Sequence, residues 1–156
     1  MKVFISHKQE DGPTATSILN TLVTCGAEAY LDLLDGQLAL KGEALTNHVK
    51  GRLNECTDLL VVMSEQTKGS WWVPFEIGMA AQKDFPIVNY LTAGVQLPDY
   101  LEYWPRLKNS TDLATYVETK RSVMKRADSR KRSGESVSMA SETAQFYSEL
   151  RTALRS

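Results

Sequence analysis

The run Asp58-Leu59-Leu60-Val61-Val62-Met63-Ser64 is apolar from Leu59 through Met63 without a break. A strand with one wet face alternates apolar and polar residues, so a short unbroken run reads as a strand buried on both faces. Such strands belong to parallel sheets covered by helices. The rest of the chain agrees. Val3 to Ser6 and Ala27 to Leu31 predict further strands, and Pro86 to Leu91 predicts another after the central run. Pro13 to Cys25 predicts a helix, with Pro13 in its first turn, Gly26 closing it, and Ala15, Ile18, Leu19, Leu22 and Val23 at helical spacing. Glu43 to Asn54 predicts a helix with Leu45, Val49 and Leu53 on one stripe, and Trp72 to Gln82 and Thr111 to Lys125 predict two more. Asp32 to Lys41 reads as a loop, and Asp99 to Lys108 as irregular chain or a short fifth strand. Alternating strands and helices of this kind imply an α/β fold with right-handed crossovers. About five strands suit a flavodoxin-like, doubly wound parallel sheet of order 2-1-3-4-5. The first and third strands then flank a crevice, with the loops after Ser6 and Ser64 on either side.

At 156 residues the chain suits one domain. Polar, basic residues from Lys125 to Ser136 read as a linker, which divides the chain into a domain over 1–126, a linker over 127–137 and a terminal helix over 138–156. Ala144, Tyr147, Leu150 and Leu154 give that helix an apolar side to dock on the domain or on a neighbour. The net charge of −1 argues against broad attraction to nucleic acid or membranes. No apolar run approaches the roughly 20 residues of a membrane span. Cys25 and Cys56 are isolated, and Met1 to Ser6 enters a strand with no leader-like apolar segment. Both features fit a cytoplasmic protein with buried thiols.

Ser70-Trp71-Trp72-Val73-Pro74-Phe75-Glu76 follows the central strand. It therefore sits at the carboxyl rim, where open α/β sheets bind ligands. Two indoles and a carboxylate in such a place suit a nucleotide. Trp72 and Glu76, four apart, share a helix face. Spacing alone also fits a first-turn helix charge beside core tryptophans. Ser6-His7-Lys8-Gln9-Glu10-Asp11-Gly12 leads into a helix whose free N–H groups suit phosphate, yet it is neither GxGxxG nor a Walker loop. His7 and His48 lack metal-ligand spacing, so no metal is expected. No GxSxG elbow supports acyl transfer. Lys120 to Arg132 reads as a solvated helix and linker or as a basic patch.

Val3-Phe4-Ile5-Ser6-His7, with Glu10-Asp11, resembles the first box of Toll/interleukin-1 receptor (TIR) domains. Leu60-Val61-Val62-Met63-Ser64, with Ser70-Trp71-Trp72 and Glu76, is similar to the "hhhS…S.W…E" pattern of the same family. The segment from Leu31-Asp32 to Lys41-Gly42-Glu43 occupies the place of the BB loop. The likeness spans about residues 2 to 108. The BB loop departs from the family in lacking Arg-Asp and Pro-Gly pairs, which weakens an adaptor role. A third box is represented at most by Tyr103-Trp104.

Bacterial and plant members that keep the Glu cleave NAD+ at the nicotinamide–ribose bond. The resemblance implies that role for Glu76, with NAD+ as substrate and no cofactor. It implies that Trp72 or Trp71 stacks a base and that Phe4, Ser6, His7 and Lys8 line the ribose and phosphate side. It also implies self-association through the BB loop, here Asp35, Gly36, Lys41 and Gly42. A further implication is a nucleotide signal to a separate effector, as in bacterial antiphage systems such as Thoeris. The product is ADP-ribose or a cyclic isomer. Two other readings compete: a non-enzymatic TIR interaction module, and an enzyme resembling nucleoside deoxyribosyltransferases.

Overall fold

The computed structural model describes residues 1–31 and 41–155. Its strands are β1 (Lys2–Ser6), β2 (Glu28–Leu31), β3 (Asp58–Met63), β4 (Ile87–Leu91) and β5 (Arg106–Leu107). They form one sheet in the order β2-β1-β3-β4-β5, and every neighbouring pair is parallel. The helices are α1 (Gly12–Thr24), α2 (Gly42–Asn54), α3 (Trp72–Ala81), α4 (Ser110–Arg132) and α5 (Met139–Ala153). The flavodoxin-like order expected from the strand count is the observed one.

Period-two alternation divides the core. Val3, Ile5, Leu60, Val62 and Val88 face one side and meet α1, α4 and α5. Phe4, Leu59, Val61, Met63 and Ile87 face the other and meet α2 and α3. β3 is buried at every position. Covering both faces leaves no wet side on which a polar residue would be favoured, which explains its unbroken apolar run.

Helix ends follow local chemistry. α1 closes in a Schellman motif: Gly26 N–H bonds Val23 C=O at 2.8 Å and Ala27 N–H bonds Leu22 C=O at 2.9 Å. Gly26 sits at φ 79°. A Cβ there would lie 2.8 Å from Arg121 Nη2, which itself donates to Gly26 C=O at 2.6 Å. Gly26→Ala is expected to destabilise the fold by about 1–2 kcal/mol in urea unfolding, the cost of a left-handed L residue. At α4, Asn109 Oδ1 accepts from Asp112 N–H at 2.9 Å while Asp112 Oδ2 accepts from Lys108 N–H at 2.7 Å. That reciprocal cap starts the helix firmly.

Two expectations need correction. The basic stretch expected as linker is largely helical, because α4 continues to Arg132. Its last turn carries Arg130, Lys131 and Arg132, cations that the carboxyl end of a helix favours. Val123 and Ala127 extend the buried stripe beneath them. Lys120 also leaves the solvated face on which the sequence placed it. It is 4% exposed, with Nζ 3.8 Å from Asp58 Oδ1.

α5 docks on this domain. Phe146 and Leu150 are fully buried in the core beside α4. Tyr147 Oη accepts from Ile87 N–H at 2.8 Å, and Thr143 Oγ1 donates to Asp84 C=O at 2.9 Å. Cys56 is buried and Cys25 half-buried. Burial pushes the Cys56 thiol up to about 11, so little thiolate exists near neutrality. Alkylation at pH 8 is expected to label Cys25 first and to reach Cys56 only on unfolding, as mass spectrometry of the labelled peptides would read.

Candidate functional site

The carboxyl ends of β1 and β3 carry the polar residues of the rim. Ser6 closes β1. Being two positions from Phe4, it faces the same side of the sheet, toward α3. Ser70 Oγ caps α3 by accepting from Trp72 N–H at 3.2 Å and Val73 N–H at 3.3 Å. Pro74 is then harmless in the first turn, where its missing N–H has no helical partner to lose. This start sets Trp72 and Glu76 one turn apart on the face that meets Ser6.

Glu76 is fully buried. Its Oε2 accepts a short hydrogen bond from Ser6 Oγ. Its Oε1 accepts from Trp72 Nε1 at 2.9 Å. Both carboxylate oxygens are thus oriented by named donors on two elements. Glu76 lies in the second turn of α3, and the first turn holds no acidic residue. The helix dipole fades within one turn, so direct hydrogen bonds rather than the helix end hold this carboxylate.

The two tryptophans differ. Trp72 is 7% exposed and Trp71 75%. Their rings meet edge to face, with centroids 5.5 Å apart at 84°, and Phe75 lies against Trp72 with centroids at 5.3 Å. Trp72 spends its N–H on Glu76 and its faces on neighbours. Trp71 is the indole that offers a free ring.

A second network, not assigned from the sequence, joins the two rim loops. Asp11 ends the 3-10 turn Gln9–Asp11. Its Oδ2 accepts from Ser64 Oγ at 2.7 Å and from Thr67 Oγ1 at 2.6 Å. Ser64 Oγ in turn accepts from Gln66 N–H at 3.1 Å and Thr67 N–H at 3.2 Å. This clamp fixes the loop after β1 against the loop after β3. Asp11 and Ser64 stood in the quoted motifs, but nothing in their spacing paired them, and Thr67 carried no signal.

The other expected residues are placed variously. Phe4 is fully buried in the core, its ring centroid 5.6 Å from that of Tyr30. His7 is nearly buried, with Nδ1 3.4 Å from Ile5 C=O. Lys8 pairs with Glu10 at 3.2 Å on the rim. Lys41 and Gly42 are exposed at the start of α2. Asp35 and Gly36 lie outside the described residues. Among the described residues, no group of three His, Cys, Asp or Glu side chains could hold a metal ion. No helix among them is long and apolar enough to cross a membrane.

What these residues assemble is a doubly wound parallel α/β domain with an oriented carboxylate at the rim of its switch point. The chain belongs to the TIR domain family, whose pattern it matches over residues 3–122. The last turns of α4 and all of α5 lie beyond that match. No curated protein matches the chain. Among solved structures, it is similar to the TIR domains of the activated Roq1 resistosome directly recognizing the pathogen effector XopQ. Identity is 13%, the alignment covers 99% of this chain and 83% of that one, and the TM-score is 0.47.

Proposed function

We propose that this TIR domain cleaves NAD+ at the nicotinamide–ribose bond, with Glu76 as the catalytic residue. The observation that carries the reading is the carboxylate held by Trp72 Nε1 and Ser6 Oγ at the carboxyl rim. In NAD+ the nicotinamide is already cationic. It departs with the bonding electron pair as a neutral molecule and needs no strong general acid. Positive charge develops on the ribosyl carbon, and a fixed carboxylate in a dry place stabilises it. Water then adds to that carbon and releases a proton, giving ADP-ribose. Addition of an adenine nitrogen of the same molecule gives a cyclic isomer, again with loss of a proton. Trp71 offers the free indole face for a base, Trp72 orients Glu76, and His7 and Lys8 flank the polar side.

Glu76 has no exposed surface in the single copy, so substrate access requires the rim to open. The family resemblance implies that the BB loop of a neighbouring copy, which reaches Lys41 and Gly42 here, completes the site on assembly. Turnover per molecule is therefore expected to rise with protein concentration. The same resemblance extends the proposal to a nucleotide signal read by a separate effector in antiphage defence.

One competing reading has an observation in its favour. The burial of Glu76 and the exposure of Trp71 and Phe75 also suit a TIR interaction module. Nicotinamide release from NAD+, followed over a range of protein concentrations, separates the two. Release that grows faster than protein concentration supports the enzyme. Association without any nicotinamide, even under crowding, supports the module.

A further inference from the structure

At the opposite end of the sheet, where β3 and β4 begin, α4 and α5 line an open cavity of about 250 Å³. Phe85, Pro86, Met124 and Met139 give it apolar walls. Its charged residues are Lys120 and Glu142, joined by Lys131 and Asp128, and the Thr57 and Thr143 hydroxyls also line it. Lys120 is 4% exposed. Its Nζ lies 3.8 Å from Asp58 Oδ1 and 3.9 Å from Glu142 Oε1. Both distances exceed the roughly 3.2 Å reach of an N–H···O hydrogen bond. Asp58 Oδ1 is buried with no hydrogen-bond partner. Glu142 Oε2 stands 3.6 Å from Lys131 Nζ, again too far. The Lys120 ammonium and the Glu142 carboxylate therefore face the same small space as an ion pair with no direct hydrogen bond between them. Polar groups so placed are ordinarily satisfied by a bound molecule or by water.

The chemistry of the gap selects among molecules. A ligand carboxylate satisfies Lys120 but sets an oxygen against Glu142, whose Oε1 lies 3.9 Å from the same ammonium. A ligand amine suits Glu142 but faces Lys120. A primary amide accepts with its C=O and donates with its adjacent NH2, meeting both at once. The volume falls just short of the roughly 300 Å³ at which sites for drug-sized ligands begin, so the apolar walls admit a single ring. We propose that this cavity binds a small, neutral, planar molecule carrying a primary carboxamide on an apolar ring. The site is independent of the nucleotide reading, because no residue of the Glu76 rim lines it.

Benzamide, benzoate and benzylamine are the probes, read through the methyl NMR signals of Met124 and Met139 in the full chain. Benzamide is expected to shift both signals saturably. The two charged probes are expected to bind at least about tenfold more weakly, as the loss of one hydrogen bond to a charged group dictates. Two variants at partly exposed positions test the site itself. Glu142→Leu removes the acceptor, and Met124→Trp fills the cavity and is read at Met139. Each is expected to weaken benzamide by about tenfold or more. No saturable shift with benzamide, as for a cavity holding water only, overturns the proposal. So does equal binding of benzoate, or undiminished binding in both variants.

Discussion

Glu76→Gln is expected to lower nicotinamide release from NAD+ by roughly 100- to 1,000-fold, the range seen when one preorganised charge-stabilising group is lost. The ribosyl carbon gains positive charge as nicotinamide leaves, and the Glu76 carboxylate is fixed by Ser6 and Trp72 before the reaction begins. Glutamine keeps the size and one acceptor oxygen but loses the charge. Its NH2 must also face one of two donors, at a cost of about 1–3 kcal/mol. Thermal melting of the variant therefore accompanies the assay, and a folded, inactive protein is the expected outcome. Trp72→Phe keeps a ring in the core and removes only the indole N–H. It is expected to reduce kcat more than it raises KM, because it loosens the carboxylate without touching the exposed Trp71. A KM effect alone would assign Trp72 to stacking instead.

Lys120→Met is expected to produce the largest loss of stability of any single change considered, about 3–5 kcal/mol, because it strands a buried charge. Asp58 has no exposed surface. Without Lys120 it keeps the Thr57 hydroxyl at 2.5 Å but loses the cation that acts on it most strongly. The corresponding fall in Tm is roughly 6–20 °C for a chain of this length. The sign of the pH dependence follows from Asp58. Burial already pushes its carboxyl above the usual range, against Lys120 and Thr57, which pull it down. Removing Lys120 removes the larger of those opposing influences. A carboxyl whose folded pKa exceeds its unfolded one binds more protons when folded, so stability rises as pH falls through the folded value. The deficit of Lys120→Met is therefore expected to be largest at neutral pH and to narrow toward pH 4. Asp58→Asn combined with Lys120→Met is expected to recover most of it. Melting curves at pH 7 and pH 4.5 check both statements.

Much of the architecture was legible because burial writes itself into periodicity. The apolar run from Leu59 to Met63 announced a doubly covered strand, and Gly26 announced the end of α1. The sequence places the end of α4 too early because Lys and Arg serve equally well in a helix's last turn and in a linker. Only packing against α5 and the Val123–Ala127 stripe distinguishes the two. Lys120 was hidden within a basic stretch, since no local pattern reveals that Asp58, far away in sequence, opens β3 beneath it. At the rim, the Trp72–Glu76 spacing was readable as a shared helix face. The division of labour between Trp71 and Trp72 was not, because it depends on where Ser70 starts the helix. The Asp11–Ser64–Thr67 clamp was invisible for the same reason as the Asp58–Lys120 pair: each joins residues that only the β1–β3 pairing or the helix packing brings together.

Mass spectrometry of NAD+ incubated with concentrated wild-type protein, beside Glu76→Ala, tests the central claim most directly. Nicotinamide in equal amount to ADP-ribose or its cyclic isomer is expected with the wild type, and intact NAD+ with the variant. Intact NAD+ with the assembled wild type, or equal turnover by Glu76→Ala, would contradict the claim.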